Sequence, residues 1–376
     1  MSRGRTAPVF LFFGRRLTVD SRRQSDMSLS AADGRAAGHR PSTFFCGRIP
    51  VFSSAPMQAA VITRYGGPEV LELREVPDPQ PKPGQVVVRV EAAGVNFADI
   101  MAARGGYPGT PEPPLVAGRE FAGRRQDTGD RVMGYTQSKA FAEKITTSPS
   151  LLWPAPEKWR AEGAAAFPVN YFTAYFAYWK AGLVNAAARG KRVLIHAVAG
   201  GVGTAAVEIG NVLGVEMYGT SSSDEKLAKV RALGLQHGIN YKRDDYEEKV
   251  RELTGGEGVD AVFEMLGGEH VTKSVRCLSF RGRVITYGSA TGERATLDPR
   301  ILYDKQTSVH GLWLAKMSQR PEVMEPAWKR LSQWIEQDRL HPVVGHVLPL
   351  EKVAEAYRLL AEGRNYGKVV LVIGSR

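Results

Sequence analysis

The segment AVAGGVG, Ala197 to Gly203, is the part of the chain whose residue types and spacing point most directly to chemistry. Laid on the template G-x-G-x-x-G, it has Gly200 and Gly203 at the second and third glycine positions, with Val198 replacing the first. Glycine at the second position lets the backbone approach a pyrophosphate, and at the third lets the following helix pack close to the strand. Gly200, Gly201, Val202 and Gly203 would then open a helix whose unpaired N–H groups and partial positive charge favour an anion. A tight strand-to-helix turn without a ligand is the plainer alternative. The position between an apolar strand and a helix favours dinucleotide binding.

The end of the next strand bears on which dinucleotide. A site for a free ribose 2′-hydroxyl usually presents an acidic residue there. This chain has Gly219, Thr220, Ser221, Ser222 and Ser223, with Lys226 one turn later. Small hydroxyls and a cation suit a 2′-phosphate, which a carboxylate would repel, so the expected cofactor is NADPH. Asp224 and Glu225 stand against this, although acids are expected in a helix first turn for dipole reasons. For Lys226 the plain alternative is a solvated surface lysine.

These residues need a scaffold, and the patterning supplies one. From Met57 to about Val95 short apolar stretches such as VVVRV (86–90) alternate with turns, which reads as β. Pro77, Pro79, Pro81 and Pro83 at every second position forbid a central strand or helix there, leaving an extended surface loop. Further strands are expected near 130–134 and 140–146. From about Phe172 the rhythm changes to strand and helix in alternation. VLIHAV (193–198), VEMYGT (215–220), VDAVFEM (259–265) and RVITYG (283–288) read as strands, and SDEKLAKVRALG as a helix with Ser223 as N-cap. Alternating βαβα with apolar strands implies an α/β fold with a doubly wound parallel sheet covered on both faces. The remainder reads as an amphipathic helix (322–338), a β-like HPVVGHVLPL, a helix (351–362) and a strand, KVVLVI, expected to rejoin the first, β-rich part.

Composition removes several classes. The chain has 376 residues, a net charge of +11, a hydrophobic fraction of 43% and two cysteines. That length suggests two domains, and two cysteines cannot build a disulfide framework or a four-thiolate zinc site. No apolar run is long enough to span a membrane. The charge is unevenly placed. Residues 1–56 carry nine Arg against three Asp, with no Lys or Glu, and the other 320 residues hold only +5. This Arg- and Ser-rich leader fits an organellar transit peptide, a disordered tail, or a start assigned upstream of Met57. Without the leader the expected location is cytoplasmic. The dispersed +5 disfavours nucleic acid, which would call for a basic stripe with stacking aromatics.

GKRVLIHAVAGGVGTAAVEIG closely resembles the signature of the quinone oxidoreductase and zeta-crystallin branch of the medium-chain dehydrogenase/reductase superfamily. MQAAVITRYGGPEVLELREVP, AAGVNFADIMAARGGYP (92–108), GREFAG (118–123) and GRNYGKVVL (363–371) extend the likeness over 57–376. Three departures stand out: Val198, Glu208 where the signature prefers Gln, and a shortened stretch after GREFAG. The resemblance implies a discontinuous GroES-like β-rich domain (57–170 and 316–376) joined to a Rossmann domain (171–315), with the active site in the cleft between them. Zinc relatives carry a Cys and a Gly-His-Glu ligand set. Here Gly118-Arg119-Glu120 stands in the latter place and Cys277 is the body's one cysteine, so no metal is expected.

The implied activity is hydride transfer from NADPH to quinones or other α,β-unsaturated carbonyls, without zinc, by a homodimer. The resemblance places Phe97 to Met101, including Asp99, near the nicotinamide, and Thr173 in its pocket. It puts Lys226 and Tyr241 on the 2′-phosphate and Arg364 on the adenylate phosphate. Loops Tyr287–Gly288–Ser289–Ala290 and Gly311–Leu312–Trp313–Leu314 would wrap the nicotinamide. Tyr107 and Asn96 are the candidate catalytic residues. Tyr107 occupies a position where enoyl-reductase relatives use a tyrosine as proton donor, although quinone reductases can carry it without a demonstrated need. Asn96 and Asp99 could instead be N-cap and first-turn acid of a helix, Tyr287 and Trp313 core aromatics, and His196 a packed histidine. Two alternatives remain open: a 2-enoyl thioester reductase, and a non-catalytic crystallin-like or RNA-associated NADPH-binding protein.

Overall fold

The computed structural model describes residues 56–374, so the leader read in 1–56 lies, save for Pro56, outside the described residues. Eight strands come first: β1 (Met57–Ile62), β2 (Leu71–Val76), β3 (Val86–Val95), β4 (Leu115–Val116), β5 (Glu120–Arg125), β6 (Arg131–Tyr135), β7 (Lys144–Thr147) and β8 (Leu152–Pro154). Six more alternate with helices: β9 (Arg192–Ile195), β10 (Glu216–Ser221), β11 (His237–Asn240), β12 (Val259–Glu264), β13 (Leu278–Thr286) and β14 (Ser308–Gly311). The last two are β15 (Val344–Pro349) and β16 (Lys368–Val372).

In β3 the period of two is plain, with Val88 and Val90 buried and Arg89 exposed. β3 lies inside a seven-stranded sheet of order β15-β16-β3-β5-β6-β8, with β7 also paired to β3. A small sheet, β2-β1-β4, lies beside it in the chain's first part. β16 runs antiparallel to β3, so the late strand KVVLV completes an early sheet and makes that β-rich part discontinuous in sequence. The shortened stretch after Gly123 folds as a hairpin, with β5 and β6 joined by five residues that turn at Gly129, φ 78°.

The other sheet is parallel, in the order β11-β10-β9-β12-β13-β14. This is the doubly wound Rossmann order, whose direction reverses between β9 and β12. Burial explains the apolar runs of its central strands. Val193 and Ile195 join the core that holds Tyr171 to Tyr178 and Ala205 to Ile209. Leu194, between them, joins a separate core with Tyr246, Val250 and Val275 on the opposite face. Both faces are therefore dry, as a parallel sheet requires.

Three expectations shift. The strand read through Val198 ends at Ile195, because Ala197 adopts the left-handed region at φ 48° and turns the chain out of the sheet. The strand expected from 140 begins at Lys144. β11, β14 and the helix Tyr246–Leu253 were not read at all. Among the described residues no helix is long and apolar enough to cross a membrane.

Candidate functional site

The helix Gly201–Leu213 starts directly at the glycine turn, at the C-terminal end of β9. Gly200 is its N-cap, and no side chain caps it, so the first N–H groups are left for an anion. A Cβ at Gly203 would lie 2.4 Å from the Val198 carbonyl oxygen, which is backbone and cannot yield. That is the close helix–strand approach expected of the third glycine. A Cβ at Gly201 would meet the Asn170 carboxamide at 2.7 Å. Val198 is accommodated by a second glycine: its side chain sits where a Cβ on Gly219 of β10 would be, 2.7 Å away. The strained Ala197 adds to the case, since left-handed non-glycine backbone concentrates at functional turns. The late chain closes on the same place, with Gly367 donating its N–H to Ala199 O at 2.8 Å. A dinucleotide pyrophosphate fits this cradle.

At the end of β10 the two strand-end segments meet, Tyr241 N–H donating to Ser221 O at 3.1 Å. Tyr241 is half exposed, Ser221 is buried and Ser222 is half-buried. Ser223 caps the next helix by accepting Lys226 N–H at 3.4 Å. The Lys226 ammonium donates to the Gly363 carbonyl, and burial lowers its pKa against the pull of Glu225. Arg364 is exposed and pairs with Glu362 at 2.6 Å. Thr220 faces away, its hydroxyl 3.0 Å from Nδ1 of His196. The latter is packed: it is 1% exposed, its other ring nitrogen meets Ser274 at 3.2 Å, and burial lowers its pKa to about 3.

A second cluster gathers the candidate catalytic residues. Trp313 Nε1 donates to the Tyr107 hydroxyl at 2.8 Å, joining residues 206 positions apart. The Arg119 guanidinium lies over the Tyr107 ring, 4.3 Å from its centroid. Arg119 is itself buried and pairs with Asp99 at 2.6 Å; burial opposes its charge, but Asp99 outweighs that and holds its pKa up. Asp99 accepts Asn96 N–H at 2.8 Å, at the start of the helix Phe97–Ala103. The carboxylate of Asp99 is thus spent on a helix start and an arginine, as the cap reading expected. Thr173 and Leu312 are buried, Phe97 and Tyr287 half-buried. The Tyr287–Gly288–Ser289 loop leaves β13 with Tyr287 N–H on Glu264 O at 2.9 Å, and Leu312 N–H on Thr286 O at 2.8 Å.

The carboxamide of Asn96 belongs to a network that sequence reasoning missed. Lys368 Nζ donates to Asn96 Oδ1 at 2.6 Å and forms an ion pair with Glu120. Asn96 Nδ2 donates to Glu120 Oε1 at 2.9 Å, and Val169 N–H to Glu120 Oε2 at 2.8 Å. The one available signal was a lysine opening an otherwise apolar strand, Lys368 before VVLV.

Two family models match in succession: the alcohol dehydrogenase GroES-like domain over residues 82–148, and the zinc-binding dehydrogenase over 201–333. Human quinone oxidoreductase is 33% identical, with 84% of this chain and 98% of that protein covered. The chain belongs to the quinone oxidoreductase branch of the medium-chain dehydrogenase/reductase superfamily. Among solved structures, the Thermus thermophilus quinone oxidoreductase, also solved in complex with NADPH, superposes with TM-score 0.74 at 34% identity. It covers 84% of this chain and 100% of that one. The CurK enoyl reductase gives TM-score 0.76 at 28% identity over 85% and 100%.

The second family model is described by zinc, and the residues of this quinone oxidoreductase relative do not fit that metal. Arg119 brings a guanidinium already paired with Asp99, and both Glu120 oxygens are taken by Asn96, Lys368 and Val169. Cys277 is buried in the parallel-sheet core, and burial pushes its thiol up to about 12. Two fixed cations at Glu120 disfavour a dication there, and the protonated thiol lies apart, in another core.

Proposed function

We propose that the protein is an NADPH-dependent reductase of quinones or other α,β-unsaturated carbonyl compounds, acting without zinc. The observation that carries this reading is the glycine cradle at Gly200–Gly203, followed at the end of β10 by hydroxyls and Lys226 in place of an acid. Bound there, NADPH supplies the hydride. The open N–H groups of the helix Gly201–Leu213 hold the pyrophosphate, Lys226 and Tyr241 flank the 2′-phosphate, and Arg364 reaches the adenylate phosphate after releasing Glu362. Trp313 and Leu312 border the nicotinamide end, beside Tyr107. Initial rates with NADPH and NADH against a simple quinone test this: a preference for NADH would overturn the cofactor assignment.

A second reading, 2-enoyl thioester reduction, is favoured by one contact. Because the Tyr107 oxygen accepts its hydrogen bond from Trp313, its own proton is free to be donated. In that reaction hydride reaches the β-carbon and Tyr107 protonates the α-carbon, while the Arg119 guanidinium over its ring stabilises the phenolate left behind. Tyr107→Phe should lower enoyl thioester turnover by about 10²-fold and leave quinone reduction nearly unchanged. An equal, small effect on both substrates would retire the acid.

The partner expected beside the small-molecule substrate is a second copy of this chain. β14 is an edge of the parallel sheet; exposed Phe280 lies in its neighbour β13 and exposed Tyr303 in the segment before it. Unpaired edges flanked by apolar side chains favour strand addition. Sedimentation of Phe280→Glu should give a lighter species than the parent; identical masses would remove this interface.

A further inference from the structure

A cavity of about 530 Å³ lies between the early sheet and a late helix, and none of the chemistry above uses it. One wall is β6 and β8, the other the helix Pro321–Glu336. Its lining is chiefly apolar: Leu151, Trp153, Met324 and Trp328 form the floor, and the two indoles lie 6.3 Å apart. Glu325 is the only charged residue that lines it. Two links tie the cavity to the candidate site. Tyr135 lines it, and its strand β6 pairs there with Glu120 of β5, next to the Arg119 that lies over the Tyr107 ring. The helix Leu314–Met317 runs directly from Trp313 to Ser318, which also lines the cavity.

The geometry points to a subsite for the neutral, hydrophobic tail of the electrophilic substrate. The inference rests on the reductase reading and deepens it. Its volume lies within the range of about 300–1,000 Å³ usual for small-molecule pockets. An alkyl, prenyl or aryl chain would bury its surface against the two tryptophans while the carbonyl end stays at Tyr107. Anions are disfavoured: a carboxylate tail would find no cation in the lining, where the one charge is the exposed Glu325. Selectivity should therefore follow tail length and neutrality.

Two readouts test this on the full-length protein. In the first, quenching of the Trp153 and Trp328 fluorescence is titrated with a long ω-bromo alcohol, the ω-bromo carboxylate of equal length, and bromoethanol. Saturable quenching by the long alcohol, at least about tenfold tighter than by the carboxylate, is expected because the carboxylate would leave water without a cation to pair with. Ser318→Phe, which fills the cavity from its rim, should abolish it. In the second, NADPH consumption is followed with a series of alkenones. kcat/KM should rise about threefold per added methylene, and in Ser318→Phe the ratio between longest and shortest should fall towards one. Indifference to tail length, or equal quenching by alcohol and carboxylate, overturns the subsite while short-enone turnover leaves the reductase reading standing. Saturable quenching without NADPH consumption on any electrophile overturns the reductase reading, and with it the assignment of this cavity to a substrate tail.

Discussion

Lys368 and Lys226 show what burial makes of one side-chain type. The Lys368 side chain is 3% exposed, paired with Glu120 and bonded to Asn96 where a metal-dependent relative would carry its ligand set. Lys226, which the proposed function puts at the rim of the nucleotide site, is half-buried and held by a single backbone carbonyl. The first is enclosed by partners that cannot leave; the second can exchange its carbonyl for a phosphate at little cost. In the proposed function, fixed charge in the early sheet organises structure and exchangeable charge serves a ligand.

The sharpest way to break this contrast is Lys368→Met. It strands the Glu120 carboxylate in a dry site, and urea unfolding should show a loss of about 3–5 kcal/mol. Adding Glu120→Leu should recover much of that, since an apolar pair removes the stranded charge; no recovery would mean the network has a role beyond its own neutrality. Next in size, Lys226→Ala should raise KM for NADPH by about ten- to a hundredfold, the worth of a charged hydrogen bond, and leave KM for NADH alone. Its stability should not change.

His196 sharpens the comparison from a third side, because it is buried like Lys368 but has no counter-charge. Burial lowers its pKa from the ordinary 6.5 to about 3. Between those values the unfolded chain binds a proton that the folded one does not, so stability falls as pH drops from about 6.5 towards 3. His196→Gln should flatten that part of the stability–pH curve, measured by urea midpoints; an unchanged slope would locate the acid sensitivity elsewhere.

The contrast also marks what a sequence discloses. The apolar runs of β9, β10 and β12, the glycine turn and the Ser/Lys strand end are local patterns, and each was readable because its physics is local. Lys368 and Asn96 are 272 residues apart, and Trp313 and Tyr107 are 206. No spacing rule links such pairs; the topology brings them together. β11 (HGIN) and β14 (SVHG) escaped notice because each is four residues long, polar at intervals and without a clear period. Asp99 could be read as a cap or as a cofactor residue, and its contacts with Asn96 N–H and Arg119 could not be read from the sequence.

The pairing of β16 with β3 also imposes an order on the chain's own making. A ribosome releases β3 and Asn96 early, then must deliver the whole nucleotide-binding sheet before Lys368 emerges. Throughout that interval the first sheet has an open edge, and Glu120 awaits its cation. The nucleotide-binding sheet can close on its own strands meanwhile, while the early sheet remains exposed to proteases and to pairing with neighbouring chains. The last step of folding is then the docking of two late strands, β16 on β3 and β15 on β16, which completes the early sheet and neutralises Glu120 at once.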